Sequence, residues 1–125
     1  MKTKRLFVAL ISGLGLSLIL MGLLAGNLTV ARAATFSVYT TTDENDGSCS
    51  DGDCSLRDAI ILANGDAQAD TITMISGTFT LSIAGADEDD GATGDLDITE
   101  PLTITGQGPG QTIIDANGID RIFHI

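Results

Sequence analysis

Cys49-Ser50-Asp51-Gly52-Asp53-Cys54-Ser55-Leu56-Arg57-Asp58-Ala59-Ile60 is the stretch around which the rest of the sequence is organised. Two cysteines bound a short polar loop, and a helix begins directly after the second. Ser55 suits the N-cap, because its hydroxyl accepts from a backbone N–H of the first turn. Asp58, three residues on, completes an S-x-x-D capping-box pattern with a side chain one methylene shorter than Glu. Leu56, Ala59, Ile60 and Ala63 then fall at i, i+3, i+4 and i+7, on one helical face. Asn64-Gly65 follows, and both residues tolerate the left-handed conformation that commonly ends helices. The spacing predicts a helix over 56–64. Ile61 and Leu62 widen its apolar side, so the helix is expected to lie against something large and flat.

Upstream of this stretch the sequence reads as an export signal. Met1-Lys-Thr-Lys-Arg5 is positively charged, Leu6 to Gly26 is almost wholly apolar, and Ala31-Arg-Ala33 precedes Ala34 as a small-x-small cleavage site. Residues 1–33 are read as a secretory signal peptide. The competing reading is a retained membrane anchor, and the interior Gly13, Gly15 and Gly22 argue for cleavage. The expected location is therefore secreted or cell-surface, with the membrane a partner only through an uncleaved signal.

Cleavage after Ala33 leaves all 17 acidic residues, with Arg57 and Arg121 as the remaining basic ones, a net charge of −15. Nucleic acid is excluded as a partner, because binding it requires Lys and Arg to neutralise phosphates. Anionic polysaccharides and anionic membranes are disfavoured for the same reason. Two cysteines in an exported chain predict a Cys49–Cys54 disulfide, which would contribute about 2 kcal/mol for so small a loop. Zinc binding by this pair is unlike the four-ligand structural sites, since His124 is the single histidine. Thr42 to Asp53 is rich in side-chain oxygens. It offers Asp43, Asn45, Asp51 and Asp53 as calcium ligands, the alternative being a solvated turn. The spacing does not match an EF-hand loop.

Downstream, the sequence alternates short strand patterns with glycine and aspartate turns. Thr35–Thr40 alternates before the loop. Asp70–Ile75, Thr78–Ile83, Asp95–Ile98, Leu102–Thr105, Thr112–Asp115 and Arg121–Ile125 follow it. Pro101 marks a bend between two strands. Asp87-Glu-Asp-Asp90 is an acidic run expected to be solvated. Phe79 and Leu102 are 23 residues apart, as are Leu81 and Ile104, while Leu102 to Phe123 and Ile104 to Ile125 are each 21. That recurrence predicts a solenoid of parallel strands, each stacked on its equivalent one turn earlier, with a β-sandwich as the alternative. The helix would cover the apolar end of the first coil.

Cys54-Ser-Leu-Arg-Asp-Ala59 resembles the Cys-Ser-Leu-Arg-Glu-Ala motif that names the CSLREA domain. Gly94-Asp-Leu-Asp-Ile98, Leu102-Thr-Ile-Thr-Gly106 and Asp115 to Ile125 are also similar to that family, and the resemblance spans residues 36–125. It implies the N-terminal part of a secreted right-handed parallel β-helix protein, pectin-lyase-like, with one capping helix. On this reading 34–69 is a capping segment of strand, disulfide loop and helix, and 70–125 holds the first coils of an incomplete solenoid. The departure is Asp58 where the family has Glu. The family supplies no agreed activity, so Ser55, Leu56, Arg57, Asp58 and Ala59 are read as a structural cap motif.

Three functions are weighed. The first is a structural or adhesive surface module, with no catalytic residue assigned and its ligand unspecified. The second is a fragment of a carbohydrate-active β-helix enzyme, a lyase or hydrolase, for which Asp95, Asp97 and Arg121 would be the charged groups. The two aspartates are expected to point outward and to serve solubility. The third is a calcium-binding surface module using the loop carboxylates. The apolar strand around Phe123 is also expected to associate end to end with further coils or with a second copy.

Overall fold

The computed structural model describes residues 31–86 and 88–125. The segment read as a signal peptide lies outside these residues except for Ala31–Ala33. Among the described residues, no helix is long and apolar enough to cross a membrane.

Among the described residues the fold is mainly β, with one short helix and three small sheets whose strands all pair in parallel. In chain order the elements are β1 (Thr35–Val38), α1 (Leu56–Ala63), β2 (Asp70–Met74), β3 (Gly77–Thr80), β4 (Leu96–Asp97), β5 (Leu102–Thr105), β6 (Thr112–Asp115) and β7 (Phe123–His124). The largest sheet has the order β1-β2-β5; β3 pairs with β6, and β4 with β7. The chain thus lays down β2, β3 and β4 and then, in the same order, β5, β6 and β7. Each of the latter lies beside its counterpart.

The register corrects the repeat length expected from sequence. Asp70 pairs with Leu102, Gly77 with Thr112 and Leu96 with Phe123, separations of 32, 35 and 27 residues rather than 21–23. Phe79 and Leu102 are not stacking equivalents; they lie in different sheets, and Phe79 pairs with Ile114. The Thr-Ile-Thr-like strands resemble one another too closely for sequence spacing to tell a neighbour in the same ladder from a strand of the next sheet. The turns also differ in length, because the segment between β3 and β4 carries the acidic loop that its counterpart between β6 and β7 lacks.

α1 forms where its capping residue allows. Ser55 has an extended backbone, and its hydroxyl accepts from the Asp58 N–H at 3.0 Å. Leu56, Ala59, Ile60 and Ala63 are all buried, as the spacing predicts. The helix packs against β1, β2 and β4. Its end departs from expectation: Asn64 remains right-handed, with φ −68°, and Gly65 does not have positive φ either. The last turn tightens instead, with Gly65 N–H donating to the Leu62 carbonyl at 3.0 Å. Glycine is needed there for closeness, because a Cβ would come within 2.9 Å of that same carbonyl oxygen. The Asn64 amide then reaches the neighbouring strand, donating to Asp97 O at 2.7 Å and accepting from Thr99 N–H at 3.1 Å.

One core serves all three sheets. Val38, Leu56, Ile60, Ile72, Met74, Phe79, Leu81 and Leu96 are buried together with Cys54. In β2 the alternation is complete, with Asp70, Ile72 and Met74 buried between partly exposed threonines. Leu102, Ile104, Ile114 and Phe123, on the later strands, are only partly buried against this core. Ile104, Ile114 and Phe123 flank an open apolar groove of about 420 Å³ that Met74, Gly106 and Pro109 also line.

Candidate functional site

Arg57, in the middle of the stretch singled out by sequence, has a wholly buried side chain. Its Nε donates to Asp43 Oδ1 at 2.7 Å and Nη2 to Asp43 Oδ2 at 3.2 Å, a two-pronged pair. The remaining N–H groups reach backbone carbonyls: Gly91 at 2.7 Å and Asp95 at 3.2 Å from Nη1, and Gly94 at 2.9 Å from Nη2. All five donors of the guanidinium are therefore used. Burying an unpaired guanidinium would be prohibitive, but a fully paired one fixes everything it touches. Arg57 joins α1 to the polar loop before it and to the acidic loop before β4.

Asp43 is the second member of this hub. Besides Arg57, its Oδ2 accepts from Ser82 N–H at 2.7 Å and Ile83 N–H at 3.0 Å. Burial pushes its carboxyl upward, but the Arg57 hydrogen bond, the two N–H groups and the Arg57 charge together hold it below the ordinary carboxylate value. The Asp58 carboxyl is also held: Oδ1 accepts from Gly47 N–H at 2.9 Å and Oδ2 from the Ser55 hydroxyl at 2.7 Å. The Ser55 hydroxyl also lies 2.9 Å from the Glu44 carbonyl, so its single proton has two acceptors. Cys49 and Cys54 are joined, closing the loop as predicted, and Cys54 belongs to the buried core.

This arrangement separates the residues proposed as calcium ligands. Asp43 is turned inward to Arg57, and the Asn45 side-chain amide donates to the Ala92 carbonyl at 3.1 Å. Asp51 and Asp53 stay exposed and are joined by Asp46, one carboxylate oxygen of each lying within 4.8 Å of the others. Asp51 and Asp53 titrate as a pair through a shared side-chain hydrogen bond, with Asp51 lowered and Asp53 raised. Glu44, beside them, is raised by loss of water around it and by the charges of Asp53 and Asp46.

Asp97 in β4 and Asp95 just before it correct a second expectation. Asp95 and Asp97 do not point into solvent; they are 5% and 2% exposed. Asp95 Oδ2 accepts from Arg121 Nε. Asp97 Oδ2 accepts from Gly91 N–H at 2.9 Å, and its Oδ1 lies 2.8 Å from His124 Nδ1. The parallel register explains the second pair, since Asp97 and His124 are direct partners of β4 and β7. The expectation of a wholly solvated acidic run fails at Glu88. Its carboxylate accepts from the N–H groups of Asp90, Ala92 and Thr93 at 3.0, 3.3 and 2.7 Å. Partial desolvation raises this carboxyl, the three N–H groups lower it, and the net direction is down.

No family model, curated protein or solved structure matches this chain.

Proposed function

We propose that the chain is an exported structural or adhesive surface module, the capped beginning of a right-handed parallel β-helix of the CSLREA type. The observation that carries this reading is the repeated order of strands. β2, β3 and β4 are followed by β5, β6 and β7, and each pair is parallel and in continuous register. Strands that recur in order beside their own counterparts are what successive coils of a solenoid produce. β1 extends the first ladder on one side, with α1 packed over β1, β2 and β4, as a cap should. The disulfide supports a location in an oxidising compartment, at the cell surface or in the medium.

A module that presents loops on a rigid scaffold owes its function to those loops. The disulfide loop, the acidic loop and the turn at Gly106–Gly110 are the surfaces available for adhesion. Fractionation of producing cells, together with incubation of the purified protein with neutral and acidic polysaccharides, tests the reading. The expected result is protein at the cell surface or in the medium and no new reducing ends or unsaturated products. Turnover that is lost in Asp95→Asn would replace the adhesive reading with the carbohydrate-active one. Calcium-dependent melting that is lost in Asp51→Asn would replace it with the calcium-module reading.

A further inference from the structure

At the β4–β7 ladder, Asp97 and His124 are joined by Asp89. Asp89 Oδ1 lies 3.8 Å from His124 Nδ1, and Asp97 Oδ1 lies 2.8 Å from the same nitrogen. A tetrahedral ion with bonds of about 2.0–2.1 Å sets its ligand atoms about 3.3 Å apart, between these two separations. We propose that Asp89, Asp97 and His124 form a binding site for one divalent transition-metal ion of the zinc class.

Three features make this more than a group of surface charges. First, the ligand atoms differ in kind: one imidazole nitrogen and two carboxylate oxygens. Imidazole suits zinc and its neighbours, whereas calcium takes oxygen ligands. Second, one ligand is anchored from outside the site. Asp97 is buried, and Gly91 N–H occupies its Oδ2, which leaves Oδ1 to face the site. This is the outer-shell support that metal-ligating carboxylates usually have. Asp89 is itself exposed, but the residues that follow it, Asp90 to Gly94, are held in place. Glu88 accepts from three N–H groups of that stretch, and Arg57 takes the carbonyls of Gly91 and Gly94. Third, the three groups border a pocket of about 70 Å³ with Ile98, Thr99 and Ile125, which leaves room for water at the remaining coordination position.

A carboxylate only accepts, so the hydrogen between His124 and Asp97 is carried on Nδ1 in the metal-free pair. Binding at Nδ1 would displace that hydrogen, which the ring can carry on Nε2 instead. Arg121 lies on the neighbouring Asp95 rather than on these carboxylates. It does not neutralise the site by contact.

The test uses the untagged exported chain, stripped with chelator and titrated with zinc while its imidazole nitrogens are observed by NMR. His124 is the single histidine, so the signal needs no assignment. The expected result is one zinc per chain, a large shift at Nδ1 but not at Nε2, and binding weakened about tenfold or more by Asp89→Asn. Asp89 is exposed, so that variant should keep the parent's melting curve. Zinc binding without an Nδ1 shift, binding unchanged by Asp89→Asn, or no binding at millimolar zinc would each overturn the proposal and leave a plain hydrogen-bonded pair. None of these outcomes bears on the β-helix reading, which rests on strand order alone.

Discussion

The helix end and the late-strand end of this molecule are built on opposite terms. At the first, α1, β1 and β2 bury Val38, Leu56, Ile60, Ile72 and Met74, and a covalent bridge and a fully paired arginine hold the connecting loop. At the second, β5, β6 and β7 each pair on one side only, and Leu102, Ile104, Ile114 and Phe123 stay partly exposed. The same strand chemistry, Thr-Ile-Thr in both β2 and β5, therefore gives a buried layer in one place and half-covered residues in the other. What differs is the cover. A sheet stabilises its apolar face only as far as something lies over it.

The contrast can be broken most severely at Arg57. Arg57→Met keeps the apolar stem but leaves the Asp43 carboxylate and three carbonyls buried without their donor. A loss of about 3–5 kcal/mol in denaturant unfolding is expected. Leu56→Ala removes packing between α1 and the sheet and should cost about 3 kcal/mol, with the melting temperature falling accordingly. Replacing both cysteines by serine should cost about 2 kcal/mol, and mass spectrometry of the unreduced parent should show the Cys49–Cys54 link. Phe123→Ala, where the side chain is only partly buried, should cost only about 1 kcal/mol despite deleting a larger side chain. A larger loss there than at Leu56 would show that the two ends are equally covered.

A pH series sharpens the role of the hub. The folded-state carboxyl of Asp43 lies below its unfolded value, so its stabilisation is complete above about pH 4 and fades as the pH falls through the lowered value. The penalty of Asp43→Asn should therefore be constant near neutrality and shrink under acid. A penalty that grew on acidification would contradict the ion pair as the source of Asp43's contribution.

Much of the helix end was legible in the sequence because its signals are local. Ser55 and Asp58 are three residues apart, the apolar face repeats within eight residues, and the cysteines are five apart. The partners of Arg57 were not legible: Gly91, Gly94 and Asp95 lie 34–38 residues away and contribute only backbone carbonyls, which leave no mark on residue identity. The one available sign was Arg57 itself, the only basic residue between Arg32 and Arg121. The stacking partners were misread for a related reason. Parallel ladders join strands through connections of variable length, so a near-constant spacing between similar strands selected neighbours in the wrong sheet. The pairing of Asp97 was hidden because it depends on which residue β7 sets beside β4, and that of Asp95 because Arg121 lies 26 residues on.

The central claim is that cover, not strand sequence, makes one end of this fold firm and the other loose. Hydrogen exchange of the backbone amides, measured residue by residue on the protein in its oxidised form, tests it most directly. Opening free energy varies across a structure with the depth of packing. The account predicts the slowest exchange at Ile60, Ile72 and Met74, and exchange at the bonded amides of β6 and β7 faster by about a hundredfold or more. Equal protection of β2 and β6 would contradict it.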